Sequence, residues 1–403
     1  MRRPKIKQPR KGAILSLMVM AVLLLSMTSL ALIRLGTTAR LRVVKSDAQI
    51  AARFAADAGV ERAIHLMNRQ LAAGTWTLDD VPTYTAESLP GSSADYTVTF
   101  TGDLAGGYQL TSVGRSGNHT KTIRATLALT SPIAKGFAVF GKDAVDLKNS
   151  SLVGGFNSGD SGDTDISAKV GTLSKNDGAI NLDNNVTVNG DVYIASDGDP
   201  DEVVTAHIGA TINGDTFMLP SYYSLPRVSP PGYVASQGAI AGKYVTLRSS
   251  DSGKYSKINI TNNGILSVDG DVTLYITGDI KLKTDAKIEV GDHSTLTLYF
   301  NGDIDAQNAS GFNNKNRIPA NLLIYGTGSD QAIHLKNSSD LYGIIYAPNA
   351  KMVVHNSVDS YGSFIVEDFE LKNSGEIYYD KALKQVSKND TLSRFAIVRW
   401  EEL

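Results

Sequence analysis

The 403-residue sequence contains no cysteine. That absence excludes disulfide frameworks, thiolate zinc sites, cysteine nucleophiles and lipoprotein acylation. It leaves the compartment open, because a large exported domain can stabilise itself without disulfides. An excess of either charge is lacking too. The chain carries 39 basic and 41 acidic side chains, a formal net charge of −2, so it offers no global attraction for nucleic acid and no such partner is expected. There is no G-x-S-x-G, Walker or dinucleotide fingerprint. His65, His119, His207, His293, His334 and His355 show no metal-ligand spacing. What is present is an ordinary 42% hydrophobic, 20% charged composition, long enough for two or more domains. Gly (37) is abundant and Tyr (17) outnumbers Phe (11), a mix suited to tight turns and exposed sheet faces.

The near-neutral total hides an uneven distribution. Residues 1–12 carry six basic side chains and no acid, leaving 33 basic against 41 acidic groups in the remainder. Residues 13–33 follow, 21 residues without a charge, Gly or Pro. A helix needs about 20 apolar residues to cross hydrocarbon, so this segment reads as a retained transmembrane helix, with the basic leader holding the N-terminus in the cytoplasm. Arg34, Arg40, Arg42 and Lys45 on the far side form a weaker cluster. Ser29-Leu30-Ala31 would fit a signal-peptidase site, but the apolar run exceeds the usual length and the helical pattern continues beyond it. Residues 34–72 contain no Pro, and Ile50, Phe54, Ala58, Ile64, Met67 and Leu71 recur at spacings near three and four. Together these segments predict one helix of nearly 60 residues that Gly36 and Gly59 could bend.

Lys11-Gly12 ahead of the apolar run, and Ala55-Ala56-Asp57-Ala58-Gly59-Val60-Glu61-Arg62-Ala63 within the amphipathic half, resemble the N-terminus of type IV pilin-like proteins. The likeness is to the PilX N-terminal family and the K-type minor pseudopilins of type II secretion, and covers about the first 72 residues. It implies cleavage by a prepilin peptidase after Gly12, leaving Ala13 as the new N-terminus. Major pilins carry Glu at the fifth mature position; here that position is Leu17. The departure argues against ordinary packing inside a pilus shaft and agrees with the minor, tip-located members.

Beyond Pro82 and Pro90 the period changes. Residues 96–100, 108–113 and 120–129 alternate apolar and polar side chains, with turns at 102–107 and 116–119. This predicts a three-stranded antiparallel meander covering the helix, a pilin-like unit over 34–130. From 131 to 403 short β-branched and aromatic strands are cut by Gly-Asp turns at Asp191, Asp215, Asp271, Asp279 and Asp303. Leu335-Lys336-Asn337-Ser338 recurs at 371–374 and 147–150, and Leu341-Tyr342-Gly343 is echoed by Ser360-Tyr361-Gly362. Steps near 20 residues predict a right-handed β-solenoid, although a sandwich would also give short strands at close spacing. The fold class expected is therefore mainly β behind a long N-terminal transmembrane and amphipathic α-helix. The Pro-rich segment 217–234 reads as a loop crossing one face, and the apolar strand 395–403 as the cover of the last solenoid rung.

Little chemistry is legible. A row of Gly-Asp carboxylates could serve polysaccharide cleavage, but every copy follows one turn pattern, so turn closure by the Asp side chain is the expectation. Segments 160–165 and 197–202 resemble loose calcium loops, yet Pro200 fills the inter-ligand gap and no Gly or terminal Glu sits where an EF-type loop needs one. His334 and His355 precede Asn on successive repeats, so they either stack or lie on the surface. No catalytic, cofactor or metal residue is assigned, and the chain is not expected to be an enzyme. The leading expectation is a minor pilin-like subunit of a type IV pilus or type II secretion pseudopilus. It would be anchored once in a bacterial inner membrane, its solenoid periplasmic or extracellular, its partners other pilin subunits and surface glycans. The alternative is a membrane-anchored β-helix that binds or cleaves polysaccharide.

Overall fold

The computed structural model describes residues 12–403 apart from 78–80, 161–162, 164–165, 221–222, 224, 338–339, 356–358, 373 and 385–391. The chain divides into two units: everything up to Leu129 together with Arg394–Leu403, and Thr130–Ser393. It is mainly β, with one long apolar helix at the N-terminal end and extensive parallel sheet.

In the first unit, helix α1 runs unbroken from Gly12 to Ala72, 61 residues or about 90 Å at 1.5 Å per residue. Antiparallel strands β1 (Tyr84–Ser88), β2 (Asp95–Asp103), β3 (Gly107–Ser116) and β4 (His119–Thr130) follow in order. The second half of α1 packs on this sheet through Ala52, Ala55, Ala56, Val60, Ala63 and Met67, all fully buried. The buried stripe is thus made largely of small residues. Ile50 and Phe54, expected to pack, stay 48% and 62% exposed. The reason is close approach. A Cβ added to Gly114 of β3 would lie 2.0 Å from the Ala52 carbonyl oxygen, and one on Gly59 would lie 2.3 Å from Ser112 Oγ. Gly59 is therefore a packing contact rather than a bend, and Gly36 has no neighbour within 4 Å in a continuous helix.

The strand Arg394–Glu402 differs from expectation. It joins this sheet beside β4 as a fifth member and does not cover the parallel stack. Asn68 of α1 clamps it, its Nδ2 donating to the Phe395 carbonyl (3.0 Å) while its Oδ1 accepts from the Phe395 N–H (2.7 Å). Phe395 is buried edge-on against Trp76, with ring centroids 5.0 Å apart. Glu402 pairs with Arg53 and Lys121 (3.4 and 3.0 Å). Alternating apolar residues and terminal acids fit this sheet because its helix and strands supply the matching apolar face and cations.

The second unit is a stack of tiers, each adding a strand to parallel ladders. One buried column shows the logic. Ile240 pairs with Ile258, Ile258 with Ile280, Ile280 with Ile304 and Ile304 with Ile333, at steps of 18, 22, 24 and 29 residues. The column continues through Met352, Phe369, Val145, Ile180 and Val204. Ten levels at roughly 4.8 Å span about 43 Å. Two further columns run beside it, the third interrupted between Gly311–Asn314 and the strand that starts at Leu341. Buried Asn314 bridges that gap, donating to the carbonyls of Ile318 and Tyr342 (2.8 and 3.0 Å).

The order of the tiers is not the order of the chain. The chain enters mid-stack at Phe137–Leu147 and winds outward to Thr216–Met218 at one end. It then crosses to Ala239–Ala241 at the opposite end and winds back until Ser360–Leu371 pairs with Phe137–Leu147. Residues 219–238 make the crossing, 20 residues that can span about 66–72 Å extended. On the way the Tyr346 hydroxyl donates to the Pro226 carbonyl (2.7 Å), and Tyr223 lies 5.6 Å from the Phe140 ring. The segment does cross one face, and it is also the return connection between the two ends. The repeat copies obey the same closure: Leu335, Val354, Leu371 and Leu147 form one buried column, so copies far apart in sequence become neighbours.

Candidate functional site

Two features of the structure offer surfaces that packing does not consume. The first is the N-terminal half of α1. From Leu15 to Val44 its large apolar side chains are more than half exposed, as at Leu17 (71%), Met27 (70%) and Leu32 (68%). The helix is long and apolar enough to cross a membrane. Gly12 and Ala13, the expected processing residues, begin the described helix, and the basic leader before them lies outside the described residues. The AADAGVERA segment is the start of the packed half. Ala55, Ala56, Val60 and Ala63 are buried, while Arg62 reaches out to Glu87 (2.8 Å) and the Tyr96 hydroxyl (2.9 Å). Burial raises the Asp57 carboxyl above its usual range, opposed by Arg53 and assisted by Glu402.

The second is a strip on the parallel stack that the sequence reading only half caught. Tyr342, Tyr361 and Tyr378 are in register on three successive tiers. Their rings stack at 4.4 Å and 5° between the first pair, and 5.1 Å and 15° between the second. Phe156 stands edge-on to Tyr361 at 5.1 Å. Two residues before each Tyr is an acid: Asp340, Asp359 and Glu376. The Tyr378 hydroxyl donates to Glu376, and Asp359 accepts the Glu376 N–H (3.3 Å). Burial, then the charge of Glu376, raises the Asp359 carboxyl. Burial also raises the Tyr361 and Tyr378 phenols. Hydroxyls, carboxylate acceptors and aromatic edges in a half-buried row suit a polyhydroxylated ligand. The repeated acid-x-Tyr spacing was the available signal. The spacing alone does not reveal the strip, because only the register of three tiers puts the rings face to face.

The other expected positions are absorbed by the fold. Four of the five Gly-Asp carboxylates reach the next tier instead of closing their own turn. Asp191 accepts the Asp215 N–H, Asp279 the Asp303 N–H (3.2 Å each) and Asp303 the Ala332 N–H (2.9 Å), while Asp271 accepts the Thr295 hydroxyl (2.8 Å). Glycine is required there because a Cβ on Gly302 would fall 2.7 Å from the Gly278 carbonyl oxygen. In the 197–202 segment Asp197 pairs with Lys175, and Asp199 caps a short helix by accepting the Asp201 N–H (3.0 Å). In 160–165, where 161–162 and 164–165 lie outside the described residues, Asp163 pairs with Lys381 (2.6 Å). Among the described residues no group of three His, Asp or Glu is placed to hold a metal. His334 and His355 do not stack: His334 is in register with Val353. Burial, then Lys336 and Lys372, lowers the His355 pKa.

Residues 236–386 match a family described as a domain of unknown function (DUF7305). No curated protein matches the chain. Among solved structures, the competence-associated pilin ComZ from Thermus thermophilus aligns at 13% identity, over 88% of this chain and 98% of that one, with a TM-score of 0.25. At that score the likeness carries no argument.

Proposed function

We propose that the protein is a membrane-anchored, pilin-like structural subunit that displays its parallel stack, read as a right-handed β-solenoid, as an interaction module. The observation that carries the reading is the division of labour along α1. Its first half is bare and apolar, and its second half is covered by the unit's own sheet through Ala52, Ala56 and Gly59. A globular enzyme gains nothing from a helix that leaves some 30 residues unpacked, whereas a filament subunit stored in a membrane needs one. The basic leader supports a cytoplasmic N-terminus and an exported stack in a bacterial inner membrane. The PilX-like residues support a minor subunit of a type IV pilus or type II secretion pseudopilus, cut between Gly12 and Ala13. Because the carboxylates of Asp191, Asp271, Asp279 and Asp303 bind the next tier, the reading gives them no catalytic part. Mass spectrometry of membrane-extracted protein, together with sheared filaments, tests this: a chain beginning at Ala13 and present in filaments is expected. An uncut chain absent from filaments, in cells whose filaments survive its deletion, would refute it.

The tyrosine and acid strip favours a second role within the first, binding of a surface glycan. A glycan array probed with the full chain and with Tyr361→Ala should show binding that the substitution removes; silence of both counts against it.

A further inference from the structure

The chain enters and leaves the stack mid-way, so neither end is covered by the domain's own first or last strand. At one end, Val204–Ala206, Thr211–Ile212 and Thr216–Met218 each pair with a single neighbour in their ladder. At the other, Ala239–Ala241 and Tyr244–Arg248 do the same, whereas Gly253–Tyr255 is flanked on its outer side by Ser236–Gly238, the Lys254 carbonyl accepting the Gln237 N–H (2.8 Å). Among the described residues the other five strands have no partner strand on their outer side, and folded proteins ordinarily cover or blunt such edges.

Two independent observations say what fits there. Among the described residues of this unit, six large apolar side chains are at least two-fifths exposed, and four of them lie on the terminal tiers: Ile208 (87%), Phe217 (43%) and Met218 (54%) at one end, Tyr244 (72%) at the other. The charges are also complementary. Residues 198–219 carry Asp199, Asp201, Glu202 and Asp215, all exposed, and no Lys or Arg. Residues 236–255 carry Lys243, Arg248 and Lys254 against the lone Asp251. Because all ladders are parallel and advance in one direction, the acidic end of one molecule presents edges that the basic end of another would continue in the two columns that end at Ala239–Ala241 and Tyr244–Arg248.

We infer that the stack associates head to tail with a second copy of this chain, acidic end on basic end. Such a contact is heterologous, so it extends into a row instead of closing as a dimer. It needs no change of fold, since each new interface repeats the step between internal tiers.

The test uses the detergent-solubilised full chain at low ionic strength, with sedimentation velocity and negative-stain microscopy. Wild type should form linear assemblies that salt weakens. Glu202→Lys with Asp215→Lys, or Lys243→Glu with Arg248→Glu, should each weaken self-association by about tenfold or more, with thermal melting unchanged to show intact folding. Mixing the two variants makes every mixed interface complementary again and should restore alternating rows. A wild type that stays single, variants that assemble like wild type, or a mixture that fails to recover would each overturn the inference.

Discussion

Lys148 Nζ lies 2.8 Å from Glu370 Oε1, although 222 residues separate them. Burial alone would raise the Glu370 carboxyl, but the hydrogen bond from Lys148 brings it below its usual value. With both side chains about one-third exposed or less (33% and 27%), the pair contributes up to about 1 kcal/mol. Its importance is positional, because it marks the seam where the tiers latest in the chain meet the earliest.

The seam should be the weak plane of the stack. Phe369 is buried against Val145 across it. Phe369→Ala should cost about 3–5 kcal/mol and raise hydrogen exchange in 137–147 and 360–371 together. Exchange rising uniformly through all tiers would contradict a seam.

The return connection should be dispensable once folding is complete. Gly232 has no neighbour within 4 Å and Val234 is 94% exposed, so a protease site inserted at 232 should be cut without disassembly. The fragments should co-elute natively and part only in denaturant. Separation in native buffer would show that the seam, even with Arg394–Glu402 in the first unit's sheet, cannot hold the fragments together.

Two glycines of the first unit should respond oppositely. Gly114→Ala forces a Cβ against the backbone of Ala52 and Ala56 and should cost about 2 kcal/mol or more. Gly36→Ala meets nothing and should stabilise the helix by about 0.5–1 kcal/mol. Thermal melts of the two variants read the difference directly.

Two carboxyls should give opposite pH dependence. Asp359 is raised by burial and by Glu376, so its protonated form favours the fold, and that contribution fades as pH rises through its folded value. Asp359→Asn should therefore raise the melting temperature at about pH 7, with the gain closing toward about pH 3. Asp279 is lowered by its hydrogen bond with Lys281, then by the Asp303 N–H. Its contribution is present above the unfolded value and lost as pH falls through the folded one. Asp279→Asn should be less stable than wild type at about pH 7 and equal to it in acid.

The helix, the switch from period 3.6 to period 2 and the LKNS copies were legible because each is a local pattern. The buried helix face was legible only in part: Met67 and Leu71 are buried as their spacing predicts, Ile50 and Phe54 are not. Counting large apolar residues pointed to Ile50 and Phe54, whereas close approach at Gly59 and Gly114 selected alanines. Tyr342 and Tyr361 recur visibly in the sequence, but their stacking, and the place of Tyr378 beside them, depend on register, which the sequence does not print.

By itself the sequence determined what each segment could become: an uncharged run that suits a membrane, and short strands with Asn and Gly corners that must stack. Only the tertiary structure decided which segments are neighbours. It sent Arg394–Glu402 to the first sheet, because Asn68, Trp76 and Arg53 were there to receive it. It also joined residue 145 to residue 369, because a parallel ladder recognises a matching edge regardless of how much chain lies between.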